Sequence, residues 1–127
     1  MHRTFLLCCW AIVATGCTVV TTAQGERLGM RSAAFRSYAE TVFRQQNQAL
    51  DELALQLDAG LDTDELVELE AAEVELLAAC ARLNELAARR RDQRRLGLGR
   101  QWRAARTTPD CERALLAAQA LLDARAR

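Results

Sequence analysis

The chain contains no lysine, one histidine (His2), one proline (Pro109) and two serines (Ser32 and Ser37) in 127 residues. So little His, Lys and Ser leaves almost no nucleophile–base pair from which a hydrolase or transferase could be built. Six glycines and six aromatics are too few for the turns and faces of a β-sandwich or barrel. Nor is there an excess of charge: 17 arginines balance 17 acids, so no overall basicity points to nucleic acid. What is abundant is Ala (24), Leu (20) and Arg (17), a composition that favours helix. No glycine-rich phosphate loop is present, and Gly60 is misplaced for a calcium loop among Asp58, Asp62, Asp64 and Glu65.

The first residues set the compartment. Met1-His2-Arg3 is a short positive start, followed by an apolar run from Phe5 to Ala14, in the layout of a secretory signal. The run closes in Ala14-Thr15-Gly16-Cys17, two small residues ahead of a cysteine, which resembles the bacterial lipobox. The resemblance covers about the first 17 residues. It implies export, removal of residues 1–16 and lipidation of Cys17, and Thr18 in place of Asp implies sorting to the periplasmic face of the outer membrane. Three alternatives compete. Cleavage after Ala23 would release a soluble periplasmic protein, an uncleaved anchor would need about 20 apolar residues, and a cytosolic protein could carry a greasy start. Lacking lysine, the chain cannot be attached to peptidoglycan through a C-terminal lysine.

Residues 17–31 lack helical periodicity and contain Gly25 and Gly29, so they are expected to form a flexible lipidated tether. The domain is expected over residues 32–127 as an all-α fold, an antiparallel helical hairpin plus a third helix. Ser32 is the expected N-cap of a helix to about Asp58, with apolar positions Phe35, Tyr38, Val42, Ala49, Leu50, Leu53 and Leu57 at spacings of three and four. Asp62 with Glu65 marks the start of a second helix to about Arg95, striped by Leu66, Leu69, Ala72, Leu76, Cys80, Leu83 and Ala87. Thr108-Pro109 is the expected start of the third, with Cys111, Leu115, Ala118 and Leu122 on one face. Residues 100–106 are expected to add a turn or two ahead of it.

After processing, Cys80 and Cys111 remain as an even pair in an oxidising compartment, both on predicted buried stripes, and a structural disulfide between them is expected. A redox pair would favour closer spacing, and zinc would need two further Cys or His ligands that the chain lacks. No metal or cofactor is expected.

Charge is segregated. Residues 51–75 hold ten acids and no arginine, whereas residues 82–106 hold nine arginines against Glu85 and Asp92. Solvated helix faces and the helix dipole account for part of this. Antiparallel pairing also places Ser32 near the level of residues 88–90, so Arg89, Arg90, Arg91, Arg94 and Arg95 are expected beside the anchor as a membrane-facing patch. The Arg89-Arg90-Arg91 run also resembles a nucleic-acid patch, which export would leave idle. The expected function is non-enzymatic, an outer-membrane lipoprotein with a periplasm-facing scaffold domain. Its partners would be the membrane and an unidentified envelope protein, with no nucleic acid and no small-molecule substrate. The alternative is a pilot or chaperone lipoprotein escorting a secretion or envelope component, favoured if an apolar groove is present.

Overall fold

A computed structural model describes residues 18–127; the expected signal segment 1–16 and the expected lipidation site Cys17 lie outside them. The fold is an all-α bundle of α1 (Ala33–Leu57), α2 (Thr63–Arg91) and α3 (Leu98–Arg125), preceded by a small antiparallel hairpin of β1 (Val19–Thr21) and β2 (Arg27–Gly29). The two predicted N-caps close their helices. The Ser32 hydroxyl accepts from the Phe35 amide at 3.0 Å, and the Asp62 carboxylate accepts from the Glu65 amide at 3.0 Å. After Asp58 the chain leaves α1 through Gly60, whose φ of 73° suits a residue without Cβ.

Two helix boundaries differ from expectation. α2 stops at Arg91 instead of Arg95, because the next residues turn back. The Asp92 amide donates to Ala88, Gln93 has a φ of 54°, and Leu96 is buried. α3 starts ten residues before Thr108, so Pro109 lies inside it. Proline removes the amide that would bond to the Ala105 carbonyl, a cost of about 3 kcal/mol in a helix interior. Burial of Ala104, Ala105, Thr108 and Cys111 in the bundle offsets that cost, and the Thr108 hydroxyl donates to the Ala104 carbonyl at 2.8 Å.

Because α3 is long, it lies antiparallel along nearly all of α2. Arg100 meets Glu85 at one end (3.4 Å), Cys111 meets Cys80 in the middle, and Arg125 meets Glu65 at the other end (3.4 Å). The expected disulfide therefore staples the centre of the pair, not the start of the third helix. Cys80 and Cys111, with Cα atoms 4.6 Å apart, sit in a core that includes Val42, Leu53, Leu69, Leu76, Leu83 and Leu115. α1 runs parallel to α3 and antiparallel to α2. Gln46, from the glutamine-rich stretch of α1, is buried and donates to Asn84 at 2.9 Å. At the start of α1, Phe35 packs against Ala105 of α3, toward the end of the bundle where α2 closes.

Residues 18–31, expected as a flexible tether, are folded. Val20 and Leu28 face each other across the hairpin, both buried against Phe35 and Ala105. An isolated two-stranded hairpin is marginal in water, so this docking face is what keeps it in place. The turn closes through Gly25, with φ 86°, and through the Thr22 hydroxyl, which accepts from the Glu26 amide at 3.1 Å. The β-branched run Val19-Val20-Thr21-Thr22 followed by Gly25 is a hairpin signal. Composition alone made it look like a linker.

Candidate functional site

The arginine-rich end of the bundle is built by three segments. Arg89, Arg90 and Arg91 occupy the last turn of α2, where cations complement the helix dipole. Arg94 and Arg95 follow in the connection to α3, and Arg100, Arg103 and Arg106 lie on the first turns of α3. Arg31 and Arg36 stand at the start of α1, which the parallel α1–α3 arrangement brings to the same end. Among the described residues, Arg91 pairs with its neighbour Asp92 at 3.6 Å and Arg100 with Glu85, but Arg89, Arg90, Arg94 and Arg95 pair with no carboxylate. All of these last four except Arg89, which is half-buried, are exposed.

Two apolar side chains stand among these charges. Leu98 is 76% exposed, and Trp102, one turn along α3, is 39% exposed with the Arg106 guanidinium 4.6 Å from its ring centroid. A leucine and a tryptophan rimmed by arginines can enter the headgroup region of a bilayer, where tryptophan is enriched and guanidinium groups meet phosphate. Sequence reading gave residues 100–106 only a turn or two and assigned Trp102 no role. Only once α3 is known to begin at Leu98 do Leu98 and Trp102 fall on one exposed side of one helix.

The chain joins the domain at this end too. The Thr18 carbonyl accepts from the Met30 amide at 2.7 Å, and Met30 packs against the cluster of Val20, Leu28, Phe35 and Ala105. The acidic tip, Asp58 to Glu65, lies at the opposite end of α2, roughly 43 Å away at 1.5 Å per residue over its 29 residues. The five predicted arginines are therefore brought together near the start of the described chain. The predicted acids are not.

A shallow groove of about 410 Å³ opens between α1 and α2 beside the patch, lined by Phe43, Ala87 and Ala88 with Asn47, Asn84 and Arg91. Across the bundle, Glu112 holds the hairpin down. One of its carboxyl oxygens accepts from the Ala23 amide and from the Tyr38 hydroxyl, each at 2.7 Å. Burial, then this hydrogen bond and the nearby Glu112 charge, push the Tyr38 hydroxyl far above the usual tyrosine range. Sequence reading missed Glu112, since an acid between Cys111 and Arg113, with Asp110 close by, looks like any solvated helix position.

Among the described residues no group of three His, Cys, Asp or Glu side chains is placed to hold a metal ion, and no helix is long and apolar enough to cross a membrane. Compared with known proteins, the chain matches no family model, no curated protein and no solved structure.

Proposed function

We propose that this protein is a non-enzymatic lipoprotein of the outer membrane whose arginine-rich end lies on the leaflet that holds its lipid. The lipidation rests on the resemblance of Ala14-Thr15-Gly16-Cys17 to a lipobox. The observation that carries the orientation is that Thr18, where the described chain begins, lies at the same end as Arg89, Arg90, Arg91, Arg94 and Arg95. With residues 18–31 folded onto the bundle, a lipid on Cys17, the residue before Thr18, would hold that end close to phosphate. Each arginine near an anionic surface contributes about 1 kcal/mol, and Leu98 with Trp102 adds an apolar contact. The remaining surface faces the periplasm as a scaffold for an envelope protein.

The pilot reading keeps one specific support, the groove lined by Phe43, Ala87 and Ala88. A bound segment there would sit beside the membrane-facing end.

Flotation of residues 18–127, which hold all three helices and the hairpin, with phosphatidylglycerol vesicles tests the orientation. Binding is expected at low salt and release at high salt, because the Debye length falls from about 10 Å at 0.1 M to about 3 Å at 1 M. Changing the five arginines of the patch to Gln abolishes binding, and neutralising Asp62, Asp64 and Glu65 does not. Equal binding by the Gln variant, or indifference to salt, refutes the orientation. Palmitate incorporation that survives Cys17→Ala refutes the anchor.

A further inference from the structure

α2 is apolar on two sides. Its inner side carries Leu69, Leu76, Cys80 and Leu83 in the core. Its outer side carries Val67, Ala71, Val74, Ala78 and Ala81, spaced by four and three residues in alternation and all exposed, Val67 by 59% and Val74 by 66%. Leu77, 44% exposed, flanks this stripe. Alternating steps of three and four are the heptad seam of a coiled coil, and β-branched Val67 and Val74, unlike the alanines, add nothing to the helix itself. Three alanines in the seam let a second backbone approach closely, near the 8 Å limit of helix packing.

We propose that this seam is an interface on which a second copy of the chain docks, the two α2 helices running antiparallel about a two-fold axis near Leu77. The charge pattern selects that occupant and that direction. The N-terminal half of α2 carries Asp64, Glu65, Glu68, Glu70, Glu73 and Glu75, and the C-terminal half carries Arg82, Arg89, Arg90 and Arg91. A parallel pair would set acid against acid and arginine against arginine. An antiparallel pair sets each acidic half against the basic half of the other copy, and a two-fold axis makes the match twice. In the register that packs Val74 against Ala78 and Ala71 against Ala81, Leu77 meets Leu77 on the axis. Glu68 then faces Arg82 of the second copy on both sides. Arg82 is half-exposed and holds only a loose 3.6 Å contact with Glu85, so it can turn outward.

From Val67 to Ala81 the seam is about 21 Å long at 1.5 Å per residue. That places it at the small, transient end of protein interfaces, so the dimer dissociates readily and ion pairing sets its orientation. The antiparallel pair carries an arginine-rich end at each end of its long axis, so two lipid-anchored copies share one leaflet with α2 lying along the membrane. The seam and the charges themselves belong to α2 alone.

The test places a photoreactive phenylalanine analogue at Val74 of the full chain, expressed in its native envelope, with Leu55 on α1 as the exposed control (73%). Illumination is expected to give a covalent species of twice the chain mass from position 74 and not from position 55. Glu68→Arg and Arg82→Glu should each reduce that species at least fivefold. Their combination, which restores opposite signs across the seam, should bring it back. Both sites are solvent-facing, and unchanged helical circular dichroism confirms that each variant is folded. No dimer from position 74, equal yield from position 55, a crosslink only to a different protein, or a combined variant no better than the single ones overturns the proposal.

Discussion

Reduction of the Cys80–Cys111 bond is the sharpest perturbation the structure offers. The two cysteines are 31 residues apart in sequence. In the chain-entropy account, closing a loop of that length removes about 3.7 kcal/mol of freedom from the unfolded state. Domains of this size carry roughly 5–15 kcal/mol of stability in total, so the bond supplies a large share. Taking an unfolding entropy of about 2.1 cal/mol/K per residue over residues 18–127, its loss lowers the melting temperature by roughly 16 °C. Comparing the oxidised with the reduced protein is cleaner than mutating either cysteine, because both sulfurs keep their place in the core and no cavity opens. Both cysteines are fully buried, so reductant should act only as the domain opens, and denaturant should speed the reaction. The bond can be mapped directly. With no lysine in the chain, trypsin cuts only after arginine, leaving Cys80 in peptide 45–82 and Cys111 in peptide 107–113. Without reductant these two should stay joined. Free peptides, or a reduced domain that melts within about 3 °C of the oxidised one, would refute the staple.

Other outcomes follow from the Glu112 contacts. Tyr38 is the single tyrosine, and its hydroxyl is held above the ordinary range chiefly by burial. The folded state thus keeps its proton more tightly than the unfolded state, so this contribution to stability is complete below the unfolded value of about 10 and declines as pH rises above it. Tyr38→Phe should flatten that alkaline decline; tyrosinate absorbance that titrates reversibly near pH 10 while the domain stays folded would contradict the reasoning. Glu112→Gln should cost about 1–3 kcal/mol and loosen the hairpin, seen as faster tryptic cleavage at Arg27 and Arg31 while the disulfide-linked bundle resists. Leu76→Ala, at a fully buried position of the core, should cost about 2–5 kcal/mol by chemical denaturation; a change below about 1 kcal/mol would mean the core lies elsewhere.

Local rules sufficed for much of this molecule. Ser32 and Asp62 announce their helices because a side-chain acceptor ahead of an apolar period is a short-range device, complete within four residues. Leu69, Leu76, Cys80 and Leu83 announce a buried face because helical periodicity converts spacing directly into direction. The cysteine pair was legible for the same reason, both sulfurs lying on such faces. Tertiary structure decided what these rules could not reach. Thr108-Pro109 has every local mark of a helix start, yet burial of Ala104 and Ala105 beneath the hairpin carries α3 through the proline. Val20 and Leu28 amount to a strand only once Phe35 and Ala105 supply a surface to cover, and Glu112 becomes a clasp only when Tyr38 and Ala23 arrive from 74 and 89 residues away. The arginines of α2 could be read as a cluster from the sequence. Their neighbours Leu98 and Trp102, and the nearness of Thr18, depend on how three helices are registered against one another. That register is set by contacts distant in sequence, such as Gln46 with Asn84 and Cys80 with Cys111, and no local propensity encodes it.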